Sequence, residues 1–148
     1  MILLLLGCTE TSLTLGQGTG ADFVAIEPGD ETLVMSATQG GNGTQVRGVT
    51  TGLQTNAPID CDMYSIVDGV AGANFLLEGA ALYGYDNHED PTAGLFWDAV
   101  VPLDPDTWPD EESVQELDGV PATLVMEVTD ASGRTAYAEV DVTLVTGN

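Results

Sequence analysis

A nucleophile, a base or a metal ligand would carry chemistry, so the residues able to play those parts come first. The sequence holds one histidine, His88 in YDNHEDP, and two cysteines, Cys8 and Cys61. A Ser/His or Cys/His nucleophilic site would have to use His88 as its base. Its surroundings, Asp86, Glu89, Asp90 and Pro91, read as an acidic solvated turn instead. Cys61 lies between Asp60 and Asp62, and flanking carboxylates disfavour the thiolate, so it reads as a small structural residue. There is no G-x-S-x-G, no phosphate-binding glycine loop, no H-E-x-x-H and no Cys-x-x-Cys. A small secreted enzyme is therefore the least supported of the readings below.

Binding chemistry has more candidates. Asp104, Asp106, Asp110 and Glu111 form one acidic stretch, and Asp86, Asp90 and neighbours another. Calcium takes six to eight oxygens from such groups, so it is the one cofactor to consider. Neither stretch matches D-x-[DN]-x-[DN]-G, and solvated loop charge is the competing reading. Trp97 and Trp108, with Tyr83, Tyr85 and Phe96, could offer an aromatic platform to a sugar or a protein, although packing also employs aromatics. Asn42-Gly43-Thr44 matches a glycosylation acceptor, while Asn42-Gly43 is equally explained as a tight hairpin turn.

The charge balance excludes whole classes of partner. There are 24 Asp plus Glu against two basic residues, Arg47 and Arg134, for a net charge of −22. No basic footprint exists to meet phosphates, so nucleic acid is not a partner, and direct docking on anionic lipid is opposed too. The acidity reads as a solvated surface, as adaptation to a salty or calcium-containing setting, or as a match to a basic partner.

The elements that must position these residues are short strands. A chain of 148 residues fits one domain. Leu13 and Leu15 alternate with polar neighbours, so residues 9–20 read as a flexible tether or a loose first strand. Two β-rich runs, about Thr32 to Thr38 and Thr44 to Thr51, flank GGNG. The segment ANFLLEGAALYGYD reads as one strand with a glycine bulge or as two shorter ones, and about Leu95 to Leu103 as another. WPDEESVQELDGVP holds a single helical turn, with Asp110, Glu111 and Glu112 near its N-terminus. The period of two is clearest in Leu124, Met126, Val128 and in Ala136, Ala138, Val140, Val142, Leu144, around a turn at Asp130 to Gly133. Seven to eight such strands, with no βαβ pattern, predict an all-β, immunoglobulin-like or fibronectin-like antiparallel β-sandwich over residues 21–148.

The start of the chain, residues 1–8, reads differently. Leu5-Leu6-Gly7-Cys8 resembles a bacterial lipobox, in which the cysteine thiol carries the lipid. The apolar run, Ile2 to Leu6, is shorter than a signal-peptide core and lacks a basic start. We therefore expect Met1 not to be the true start; the alternative is a first strand with Cys8 in the core, which would leave a Cys8–Cys61 disulfide open. As a whole, LLGC, GTGADFVAIEPGDETLVMSATQGG and VTDASGRTAYAEVDVTL are similar to uncharacterised bacterial lipoproteins of the myxobacterial type. That resemblance covers about half the chain and implies an Ig-like sandwich displayed from a membrane, with Cys8 as lipid attachment site and no implied activity. The expectation is a non-catalytic cell-envelope module, at the outer membrane or cell surface or otherwise secreted. It would meet a protein or glycan and touch the membrane only through its lipid. A calcium-dependent or carbohydrate-binding module is the alternative.

Overall fold

The structure, a computed structural model, describes residues 10–36 and 41–147. Cys8 lies outside them. Strand-forming runs punctuated by glycine, proline and aspartate give β1 (Ser12–Gln17), β2 (Val24–Ala25), β3 (Glu31–Ser36), β4 (Asn42–Thr51) and β5 (Ala57–Val67). They continue as β6 (Val70–Ala71), β7 (Phe75–Gly84), β8 (Gly94–Pro102), a one-turn helix α1 (Glu111–Gln115), β9 (Pro121–Thr129) and β10 (Thr135–Thr146).

The hairpin of β9 and β10 forms with Thr129 opposite Thr135, so each strand buries the face its alternation marks. Leu124, Met126 and Val128 from β9 and Ala136, Val142 and Leu144 from β10 point inward, joined by Cys61, Met63 and Val67 of β5. The outward positions of these three strands carry Asp60, Asp62, Glu127, Glu139 and Asp141, all exposed. The apolar rows meet one another, and Phe96, Val46, Ala99 and Val101 close the core from β4 and β8. Burying such side chains contributes about 1.5–3 kcal/mol each before conformational entropy is counted.

The expected open two-sheet sandwich is corrected by the strand pairing. The protein is all-β, with 57% of residues in strands, but seven strands close into a barrel. The ring runs β4–β3–β10–β9–β5–β7–β8 and returns to β4. Two seams close it. The last residues of β7 pair with the start of β8, Tyr83 with Leu95 and Gly84 with Gly94. On the far side β3 lies parallel to the end of β10, Glu31 to Val34 against Thr143 to Thr146. A sandwich and a barrel share the same alternation of buried and exposed residues, so periodicity cannot separate them. What separates them is whether the outer strands find partners, and that depends on contacts distant in sequence.

The β3–β4 hairpin is also built differently from its expected turn. Ser36 pairs with Asn42 and Met35 with Gly43, so Asn42-Gly43 begins β4 and does not form the turn. The positive φ falls on Gly41, at +80°. Gly43 is glycine for a different reason: a Cβ there would stand 2.5 Å from the carbonyl oxygen of Val101 on the neighbouring β8. Asn42 itself accepts a hydrogen bond from the Ser36 hydroxyl through Oδ1.

Candidate functional site

The site begins with a backbone irregularity. Between Val46 and Gly48 the pairing of β4 with β8 shifts, with Val46 opposite Ala99 and Gly48 opposite Phe96. Residues 97 and 98 together therefore face the single residue Arg47, as in a β-bulge. Phe96 turns inward, with its ring occupying the space a Cβ at Gly48 would fill, 2.2 Å away. Trp97 is left on the outside.

There Trp97 stacks on Tyr83 of β7, with ring centroids 4.8 Å apart and planes inclined by 14°. The Arg47 guanidinium stands over the Trp97 ring, 5.9 Å from its centroid. Its Nη1 also donates to the carbonyl oxygens of Gly20 and Asp22, which fixes the arginine against the β1–β2 connection. Leu95 and Val49 share this outer face by strand alternation, yet both are almost fully buried. An apolar layer thus sits outside the barrel, capped by a Tyr–Trp–Arg stack. Tyr83 remains 48% exposed and Trp97 38%. Because Trp97 is engaged by two neighbours, Tyr83 is the more open ring.

The other sequence candidates are dispersed. Trp108 is half-buried and packs against the core, so it does not join Trp97 in a platform. Phe96 lies in the core, and Tyr85 is tilted against His88 with 6.5 Å between ring centroids. Of the four proposed calcium ligands, two are occupied with local backbone. Asp104 accepts from the Thr107 hydroxyl (2.6 Å) and the Asp106 amide (3.4 Å), closing a turn. Asp110 is the N-cap of α1: it accepts from the Ser113 amide (2.8 Å), while the Ser113 hydroxyl serves the Asp110 backbone in return. Hydrogen bonds from Ser113 hold the Asp110 carboxyl below the usual carboxylate range. Glu111 and Glu112 lie in the first turn of α1, where the helix dipole favours negative charge. With Asp110, Gln115 and Gly147 they line an open depression of about 570 Å³. Among the described residues no three His, Cys, Asp or Glu side chains group closely enough to share a metal ion.

His88 is exposed, and its Nδ1 accepts from the Asp90 amide (3.0 Å). Asp90 in turn takes the amide and hydroxyl of Thr92, bonds that hold its carboxyl below the ordinary range. The group is a hydrogen-bonded loop, with no hydroxyl or thiol nucleophile bonded to the imidazole among the described residues. Cys61 is a buried free thiol, pushed up to about 12 by burial and by Asp60. It has the character of a core side chain.

No family model matches the chain. No curated protein matches it either. Among solved structures, one described as "Structure of the N-terminal domain of PorA" aligns over 88% of this chain and 97% of that one, at 8% identity and a TM-score of 0.24. A TM-score of that size carries no argument about fold or function. Among the described residues, no helix is long and apolar enough to cross a membrane.

Two features escaped the sequence reading. The Arg47–Trp97 contact depends on a bulge that no spacing rule reveals. The other is Asp130, whose side chain is fully buried at the β9–β10 turn. It accepts from the amides of Ser132, Arg134 and Gln54 and from the Ser132 hydroxyl, and pairs with Arg134 at 3.3 Å. Asp-x-Ser-Gly-Arg does carry a local signal, since Asp commonly bonds the backbone two residues on. The bond from Gln54, 76 residues away, carries none.

Proposed function

We propose that the protein is a non-catalytic module of the bacterial cell envelope, anchored by lipid at Cys8, which binds a protein or a glycan. The observation that carries the binding reading is the exposed Tyr83–Trp97 stack. Stacked aromatics outside a closed barrel add nothing to the main core, and flat, rigid rings with polar edges suit recognition of sugars and proteins. Tyr83 offers the open ring and the hydroxyl. Arg47 sets the edge of the surface and is held in place by two carbonyl oxygens. The dispersed carboxylates, with Asp104 closing a turn and Asp110 capping α1, give the calcium-dependent alternative no comparable support.

Glycan-array and cell-surface binding of the wild type, Tyr83→Ala and Trp97→Ala test this reading. Loss of about tenfold or more in both variants is expected, the size typical of an aromatic contact residue. Binding that survives both substitutions removes this surface as the contact. The anchor is tested separately by the intact mass of protein from its native host. A diacylated N-terminal cysteine corresponding to Cys8 is expected, and an unmodified Cys8 overturns that part of the proposal.

A further inference from the structure

A second surface lies on the opposite reach of β7. Strand register sets Tyr137, Glu127, Asp62 and Leu76 side by side across β10, β9, β5 and β7, all on the outer face. The next row is Glu139, Val125 and Tyr64. Asp60 and Asp141 extend the face at either end. Val125 points outward with Thr123 and Glu127 yet is only 3% exposed, so an apolar strip lies outside the barrel here too. The neighbouring row is open at both ends: Tyr137 is 54% exposed and Leu76 52%.

The charges on this face are the unusual part. Asp62 and Glu127 stand directly opposite each other, an arrangement that destabilises a sheet. The chain holds no lysine, and both its arginines are committed elsewhere. Arg47 stands over Trp97, and Arg134 pairs with Asp130. Any cation that neutralises the face must therefore come from another molecule. The Tyr137 hydroxyl donates to Glu139 (2.8 Å), and that bond, with Glu127 nearby, raises its pKa above the ordinary tyrosine value.

We propose that the outer face of β7, β5, β9 and β10 docks a lysine- or arginine-rich segment of another protein. The form of the charge selects this occupant. A metal ion needs its oxygens converging on one point, and no such group of three occurs among the described residues. Here carboxylates are spaced along an apolar strip, which suits side chains whose methylene stems lie on Leu76 and the tyrosines while their heads reach the acids. Guanidinium groups gain further from the faces of Tyr64 and Tyr137. This surface is separate from the Tyr83–Trp97 stack, and its occupancy does not depend on that stack binding anything.

The test uses a fluorescein-labelled nona-arginine peptide, read by anisotropy at near-physiological salt. Three variants are compared with the wild type: Asp62→Asn/Glu127→Gln on the face, Glu111→Gln/Glu112→Gln on α1, and Tyr137→Ala. The two doubles remove the same charge, so general attraction cannot separate them. The face double is expected to weaken binding about tenfold or more, the α1 double less than about twofold, and Tyr137→Ala by about threefold. Thermal melts accompany each variant. Because Asp62 and Glu127 repel across the strands, the face double is expected to melt at the wild-type temperature or above. Equal weakening by the two doubles, retention of binding by the face double, absence of binding by the wild type, or a face double that melts lower each overturns the proposal.

Discussion

Asp130 shows how one side chain can join two distant loops. Burial alone would raise its pKa, but the bonds from Gln54, Ser132 and Arg134 outweigh that and bring it down to about 2. A carboxyl depressed in the folded state adds stability that is fully present above its unfolded value near 3.8 and is lost as pH falls through about 2. Acid titration of stability, wild type against Asp130→Asn, should therefore diverge across that window. The difference expected is about 1–2 kcal/mol once solvent screening near the turn is allowed for. At neutral pH Asp130→Ala should cost about 2–3 kcal/mol by urea denaturation, since it strands three amides that now share one carboxylate. Cys61 makes the converse prediction. With its thiol raised to about 12, only about one part in ten thousand is thiolate at pH 8. In a Cys8→Ser background it should resist a disulfide reagent in the native protein and react promptly in guanidinium. Rapid native labelling would contradict its placement in the core.

At the level of elements, the pairing of β4 with β8 decides where the aromatics go. Gly48 makes room for Phe96 inside, and the neighbouring bulge leaves Trp97 outside against Arg47. Gly48→Ala should destabilise by about 1–3 kcal/mol through overpacking, measured by urea denaturation. Adding Phe96→Leu should return part of the loss, because the two residues share one space. The sequence disclosed β9, β10 and their faces because period two persists there for many residues without interruption. For β7 it left open one strand with a glycine bulge or two shorter ones; the strand is single, with Glu78 and Gly79 facing Asp60 and the Gly79 amide donating to the Asp60 carboxylate. It misplaced the β3–β4 turn, since Asn-Gly is a turn signal only where nothing else requires the glycine. At Gly43 the closeness of β8 requires it. Trp97 and Trp108 looked equivalent as residue types, and only their strand and loop positions tell a surface ring from a core one.

For the molecule as a whole, a charge of −22 on a small barrel sets the response to salt. Raising sodium chloride from about 10 mM to 0.5 M shortens the Debye length from about 30 Å to a few ångström and should raise the melting temperature by several degrees. Calcium chloride at matched ionic strength should add nothing further. A distinct rise at low-millimolar calcium, absent with sodium, would instead favour a specific calcium site. Fold class was legible as all-β because strand composition and turn spacing are local properties. The closed ring was not, because one seam joins residues far apart along the chain, such as Glu31 with Thr143, and the other rests on only the ends of β7 and β8. Both outer surfaces were hidden for the same reason: Asp62 and Glu127 become neighbours only through register.

The parallel seam between β3 and β10 has a kinetic consequence. β3 pairs through Glu31 to Val34 with Thr143 to Thr146, residues that are synthesised long after it. Until they emerge, the edges of β3 and β9 destined for β10 stay unpaired and the ring cannot close. Closure of the ring is therefore expected to be a late and slow step, as when pairing spans such long sequence separations. Before closure, the mutual repulsion of the carboxylates opposes association of open chains through their unpaired strand edges.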